Sequence, residues 1–120
     1  SIQNANLSRA DLRGADLRGA DMSNSDLQEA VFVGAKMDKT DLRRTDLRLA
    51  ALPSKIIRVD GMWWDVTIMQ GHMRIGCQYH HVSEWDKFTD DEIDEMDAHA
   101  LEFWQENKQW LVNLAKSTIE

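Results

Sequence analysis

The 120-residue chain contains one cysteine, Cys77, and no apolar run long enough to cross a bilayer. A single cysteine excludes an internal disulfide framework, and the lack of a long apolar run excludes a helical membrane protein. Nothing at the N-terminus is typical of a signal peptide. We therefore expect a protein with no membrane partner, in a reducing compartment such as the cytoplasm or in an assembly made there.

Basic charge is scarce in only one half of the chain. The net charge is -7, but residues 1–54 contribute nothing to it, because eight basic residues balance eight acidic ones. The remaining residues carry six basic and thirteen acidic groups, and most of these acids lie between Glu84 and Glu106. Binding to nucleic-acid phosphates requires the opposite sign. We expect no direct contact with nucleic acid.

A five-residue repeat runs through the first half without a break in register. Each repeat from Ala5 onward has a small residue in first place and a large apolar residue in third place. A period of five fits neither a helix nor a continuous strand. It fits a short extended step followed by a corner, where Gly14, Gly19 and Gly34 ease the bend. The third-place residues, which we predict to form the core, are Leu7, Leu12, Leu17, Met22, Leu27, Phe32, Met37, Leu42, Leu47 and Leu52.

These repeats resemble the A(D/N)LXX motif of the pentapeptide-repeat family over residues 1–52. The resemblance implies a short right-handed quadrilateral β-helix with four repeats per coil, so that Leu12, Phe32 and Leu52 stack. At the usual strand spacing, ten repeats make a solenoid of roughly 12 Å. The terminal coils of such a solenoid expose apolar side chains and backbone groups, and therefore need caps.

Residues 53–120 are predicted to form a C-terminal capping module, which makes the fold class an all-β solenoid plus α. Asp60-Gly61 is a strong hairpin signal and Gln70-Gly71 marks a second turn. These turns predict a β-meander of three short strands over residues 55–77. We expect Trp64, Val66 and Ile68 to form the buried face of the middle strand.

A capping box begins at Thr89, and an apolar stripe with steps of three and four residues follows it as far as Leu114. This pattern predicts one amphipathic helix over residues 90–118. The stripe holds more aromatic surface than one helix can bury on so small a base. We therefore expect a homodimer with Trp104 and Trp110 at its seam.

The stretch MRIGCQYHHVSEWDKFTDDEIDEMDAHALEFW is similar to C-terminal extensions of small pentapeptide-repeat proteins of bacteriophages and prophages. This resemblance implies a phage origin and no defined activity. It is consistent with a protein of the host cytoplasm or one associated with a virion.

Cys77, His80 and His81 are candidate ligands for zinc, because thiolate and imidazole are its usual donors. The C-x-x-H spacing supplies half a site, however, and no second pair is visible. A Cys77–His80 nucleophile pair lacks a recognisable orienting partner. We expect a buried thiol with histidine at its rim, and therefore no metal, no cofactor and no enzyme activity.

The sequence favours a non-catalytic protein-interaction or structural accessory protein that contacts a virion or assembly component. Its candidate contacts are Arg13, Arg18, Arg43 and Arg48 on the solenoid walls, together with Trp104 and Trp110.

The alternative is an acidic inhibitor of a host enzyme or defence complex. It would act as a DNA mimic through the segment Asp90–Glu106, with Asp91, Asp94 and Glu95 as contacts. Mimicry by the solenoid itself is disfavoured because the repeats are neutral and few. A Cys/His enzyme is the third hypothesis.

Overall fold

In a computed structural model of the protein, which describes residues 2–119, the chain divides into two units. The N-terminal unit is Ser1–Lys55 and the C-terminal unit is Ile56–Glu120. The first contains only isolated parallel bridges, and the second contains every strand and helix assigned within the described residues.

Backbone pairing in the N-terminal unit has a period of twenty residues. The bridges are parallel and join second-place residues: Asn6–Asp26, Asp11–Val31, Asp16–Lys36, Asp21–Asp41, Asp26–Asp46 and Val31–Ala51. The amide of Leu12 donates to the carbonyl of Val31 (2.8 Å), and that of Phe32 to Ala51 (2.7 Å). The chain therefore returns to the same side after four repeats, which is the pairing that a β-helix-type solenoid requires.

Every corner from Arg9 to Leu49 has a fifth-place residue in the left-handed region. The amide after the corner donates to the third-place carbonyl three residues earlier, as from Ala10 to Leu7 (2.9 Å). Positive φ at the third position of such a turn is typical of type II turns, which favour glycine or asparagine. The residues, with φ from 57 to 75°, are Arg9, Gly14, Gly19, Asn24, Glu29, Gly34, Lys39, Arg44 and Leu49.

The predicted core residues differ in burial along the repeats. Five consecutive third-place residues are buried: Met22, Leu27, Phe32, Met37 and Leu42. Those before and after them are half-buried: Leu7, Leu12, Leu17, Leu47 and Leu52. Met22, Leu27 and Phe32 each have a repeat twenty residues before and twenty residues after them, and with Met37 and Leu42 they form the core of this unit.

Polar residues in first place are buried with their hydroxyl groups bonded to backbone. Ser25 Oγ donates to the carbonyl of Ile2 (2.8 Å), and Thr40 Oγ1 donates to that of Leu17 (2.8 Å). Each bond crosses between neighbouring coils. Because a buried hydroxyl without a partner is costly, these bonds explain how the narrow axis accepts Ser and Thr in place of Ala.

The C-terminal unit begins with a four-stranded antiparallel sheet in sequential order. The strands are β1 Ile56–Val59, β2 Val66–Met69, β3 His72–Ile75 and β4 Gln78–His81. The predicted turn at Gln70-Gly71 is confirmed, with positive φ at both residues. The prediction of three strands over residues 55–77 is wrong, since a fourth strand follows the two-residue turn at Gly76.

The first connection of the sheet is longer than the Asp60-Gly61 hairpin that we predicted. Residues 60–65 lie between β1 and β2, and Trp63 and Trp64 are outside the ladder. The ring of Trp64 instead packs edge-on against Phe103, with centroids 5.2 Å apart. Tertiary packing of this tryptophan therefore outweighs the local hairpin signal.

Three helices follow the sheet: α1 Val82–Lys87, α2 Asp90–Asp94 and α3 Ala100–Lys116. The prediction of one helix over residues 90–118 is wrong. The chain turns at residues 95–99, where Asp97 Oδ1 accepts a hydrogen bond from the amide of His99 (2.9 Å). A side-chain acceptor of this kind offers the backbone an alternative to helix.

The helices pack on one face of the sheet. Val66 and Ile68 lie on that face, as predicted, and share a core with Trp85, Phe103 and Leu111. Both faces of β2 are buried, since Thr67 and Met69 are also 4% exposed. No helix among residues 2–119 is long and apolar enough to span a membrane.

Candidate functional site

The four wall arginines are held by aspartates of their own repeats. In each case the aspartate accepts from the backbone amide and from the guanidinium of the arginine two residues later. The side chain therefore closes the corner and fixes the arginine at once. The pairs are Arg13–Asp11 (2.6 Å), Arg18–Asp16 (2.7 Å), Arg43–Asp41 (2.7 Å) and Arg48–Asp46 (2.6 Å).

No two of these arginines share a column of the N-terminal unit. The aspartates paired with them form backbone bridges in four separate columns. One column contains Asp11, the second contains Asp16, the third contains Asp21 and Asp41, and the fourth contains Asp46. No single wall therefore brings two of the four guanidinium groups together. They do not form one basic surface for a partner.

The ion pairs keep their carboxylates charged at low pH. Hydrogen bonds from the Arg13 guanidinium lower the pKa of Asp11 from 3.8 to about 2. Those from Arg18 lower the pKa of Asp16 to about 2 in the same way. The same bonds raise the pKa values of both arginines. The charges of these corners are mutually neutralised, so their contribution is to local structure.

The candidate metal ligands do not converge. His80 and His81 are adjacent on β4, so their side chains point to opposite faces of the sheet. The ring of His80 lies against those of Trp85 and Phe88, with centroid distances of 5.2 and 4.9 Å. His81 Nδ1 accepts from the amide of Ser83 (3.1 Å) and caps α1. No group of three or more His, Cys, Asp or Glu residues within residues 2–119 could hold a metal ion.

The expectation of a buried thiol is wrong, because Cys77 is exposed. It lies in the turn between β3 and β4, a connection that the sequence-based meander did not include. The thiol therefore lies at the surface, in a turn at the end of the sheet, and not in the core.

The two tryptophans assigned to a dimer seam differ in position. Trp104 is only 3% exposed and belongs to the core, so its assignment to an exposed seam is wrong. The break before α3 ends the continuous stripe on which that assignment depended. Trp110 is 42% exposed, and its Nε1 donates to Asn107 Oδ1 (3.0 Å).

The acidic contacts predicted from sequence lie together on α2 and the turn after it. Asp91, Asp94 and Glu95 are exposed. Residues 88–107 contain eight acidic residues and no lysine or arginine. Within this stretch, the ring of His99 lies against the ring of Trp63, a residue 67% exposed, with centroids 4.6 Å apart and planes tilted by 44°. An exposed aromatic ring thus adjoins a surface of one sign.

Sequence reasoning missed an aromatic cavity in the C-terminal unit. Its volume is about 80 Å³, and its walls include Trp64, Trp85, Phe103 and Trp104. The ring centroids of Trp85 and Trp104 are 5.1 Å apart. The exposed Asp97 also lines it. These residues come from the first sheet connection, two helices and a turn, so no local spacing in the sequence would have united them.

One buried polar atom of a residue that lines this cavity has no partner. Trp85 Nε1 donates to the carbonyl of Met73 (2.8 Å), but the buried Nε1 of Trp104 has no hydrogen-bond acceptor within the described part of the chain. Buried indole N–H groups usually find an acceptor. The packing around this ring is therefore incomplete.

Comparison with known proteins identifies the repeat. Residues 5–44 match the family of pentapeptide repeats, with eight copies. No curated protein matches the chain. The match covers one third of the sequence and lies wholly within the N-terminal unit.

Proposed function

We propose, starting from the pentapeptide repeats of residues 5–44, that this protein is a non-catalytic interaction module. Its binding surface is the acidic stretch of residues 88–107 together with Trp63, and its partner is a protein with an exposed basic segment. The observation that carries the proposal is the contact of the exposed Trp63 with His99, within a stretch of eight acidic residues without a lysine or arginine.

This surface combines the two features that recognition of a basic protein needs. Uniform negative charge accelerates encounter with a basic partner and excludes acidic ones. An exposed tryptophan supplies the large contact area that is enriched at binding hot spots. Among the large apolar residues, Trp63 is more exposed than Trp110, at 67% against 42%.

The repeats have a supporting role in this proposal. We infer that residues 1–52 form a right-handed, four-sided β-helix, and the twenty-residue period of the bridges supports the four sides. The wall arginines are paired within their own corners, so they are weaker candidates for contacts than the acidic surface. The capping role expected of residues 53–120 stays a prediction.

A second candidate is a structural accessory role that uses a homodimer. It is favoured by the exposure of Trp110 on α3, although Trp104 no longer contributes to the seam. The phage setting suggested by the C-terminal sequence stays a prediction, as does the virion or assembly partner that would go with it.

Selection from a displayed peptide library against the full chain tests the leading proposal. The recovered segments should be basic, and their affinity should fall as salt screens the charges. The triple variant Asp91→Asn, Asp94→Asn and Glu95→Gln should weaken binding at least about tenfold, since three charges leave the contact surface.

A matched variant controls for net charge alone. Asp26→Asn, Asp38→Asn and Asp60→Asn remove the same charge outside residues 88–107, and binding should change little. Equal affinity of the first triple variant and the unaltered chain would overturn the proposal.

A further inference from the structure

The aromatic cavity is larger than a packing defect. A single water molecule needs roughly 10–15 Å³ of such space, so about 80 Å³ accommodates a small organic group. Its walls are mainly apolar, and besides the four aromatic rings they include Ile75, Ile93 and Met96. Trp64 is only partly buried.

The rings of the cavity suit a cation. The faces of Trp and Phe carry a negative electrostatic potential, and several such faces around one space form the arrangement that binds organic cations. Trp64 meets Phe103 edge-on at an interplanar angle of 81°, whereas Trp85 and Trp104 are tilted by 40°. The four rings that line the cavity therefore differ in orientation.

Asp97 adds a formal negative charge to this wall. Its Oδ1 accepts from the amide of His99 (2.9 Å), which holds the carboxylate in place. A carboxylate accepts about four hydrogen bonds in all, so Asp97 can also accept from a ligand. The acidic stretch of residues 88–107 contains Asp97, so the local potential favours entry of a cation.

We propose that the cavity binds an arginine side chain of the partner's basic segment. This inference rests on the proposed function and names the group that is recognised. The guanidinium is planar and weakly hydrated, so it can leave water, stack against the rings and donate two N–H groups to Asp97. The ammonium of lysine is strongly hydrated and has no plane to stack, so lysine binds more weakly.

Titration of the full chain with N-acetyl-arginine amide tests the assignment without any partner. The chain has five tryptophans, and their indole N–H signals are separate probes in a proton–nitrogen correlation spectrum. We expect saturable shifts at Trp64, Trp85 and Trp104. Trp110, which lies on another part of α3 and does not line the cavity, should not move.

Citrulline derivatives test whether the cavity recognises the charge of the ligand or only its shape, because citrulline has nearly the shape of arginine without its charge. N-acetyl-citrulline amide should bind at least about tenfold more weakly, and so should N-acetyl-lysine amide. Asp97→Asn should weaken arginine binding about tenfold while keeping the acceptor for His99. Glu102→Gln removes one charge from the same acidic stretch but does not line the cavity, and it should have little effect.

Three results would overturn the assignment. They are equal binding of the citrulline derivative, no movement of the three lining indoles, and equal shifts at Trp110. If selected basic peptides still bind while the lining indoles stay unmoved, only the arginine subsite is wrong. If the amino-acid derivative binds the cavity but the acidic triple variant retains full peptide affinity, the proposed surface is wrong instead.

Discussion

A single residue type, aspartate in second place, performs two tasks at four corners of the N-terminal unit, those of Asp11, Asp16, Asp41 and Asp46. Its Oδ1 accepts from the backbone amide two residues on, and its carboxylate pairs with arginine where one follows. Asn6 performs only the first task, since its Oδ1 accepts from the amide and hydroxyl of Ser8. The chain therefore contains its own example of the turn without the ion pair.

Asp11→Asn should separate these tasks. The folded-state pKa of Asp11, about 2, lies below its ordinary value of 3.8. The stabilisation from its charge is therefore fully present above about pH 4 and is lost as pH falls towards 2. We expect the unaltered chain to be slightly more stable than the variant at pH 6, and most of this difference to be lost at pH 2.

Denaturant midpoints measured at both pH values check this expectation. Asp11→Ala, which removes the turn acceptor as well, should stay less stable than the unaltered chain at both. A difference between the aspartate and asparagine forms that is as large at pH 2 as at pH 6 would show that the ion pair is not its origin.

The corners also show where local sequence rules are relaxed. Leu49 has a φ of 61° and is 84% exposed, a conformation and exposure that an apolar branched residue rarely combines. Arg9 and Glu29 occupy the corresponding corners twenty residues apart and form an ion pair (3.0 Å). Pairing of the coils therefore imposes the same backbone on glycine and on residues that disfavour it.

At the scale of elements, the predictions succeeded where the determinants are local. The repeat register and the Gln70-Gly71 turn depend on residues within five positions of each other, and both were predictable. The break between α2 and α3 depends on one side-chain bond of Asp97, which competes with a continuous apolar stripe. The stripe alone predicted one helix. Because of this error, the prediction placed Trp104 at a surface seam, although the residue belongs to the core.

The two buried tryptophans of the helices differ in one interaction. Trp85 Nε1 has the carbonyl of Met73 as acceptor, whereas Trp104 Nε1 has none within residues 2–119. Trp85→Phe therefore breaks a buried hydrogen bond and leaves the carbonyl of Met73 without this donor. Trp104→Phe removes only a donor that has no partner. We expect Trp85→Phe to be the more destabilising by about 1–3 kcal/mol.

Chemical unfolding of both variants measures this difference, and each serves as the control for the loss of ring volume in the other. Equal loss of stability in the two would indicate that Trp104 Nε1 has an acceptor in solution, such as a bound water.

At the scale of the whole molecule, charge distinguishes the two units. The N-terminal unit is nearly neutral, with nine basic and eight acidic residues, and its four wall arginines are paired with aspartates of their own repeats. The C-terminal unit carries the excess negative charge, the exposed Trp63 and the aromatic cavity. The location of the acids was predictable from composition, but the cavity was not, because packing alone brings its rings together.

Hydrogen exchange of the full chain with and without a selected basic peptide tests the central claim most directly. We predict that the peptide slows exchange at amides of residues 63–64 and 95–104, and leaves the corners at Arg13, Arg18, Arg43 and Arg48 unchanged. Protection at those corners without protection in residues 95–104 would contradict the account, because the repeats would then be the binding surface.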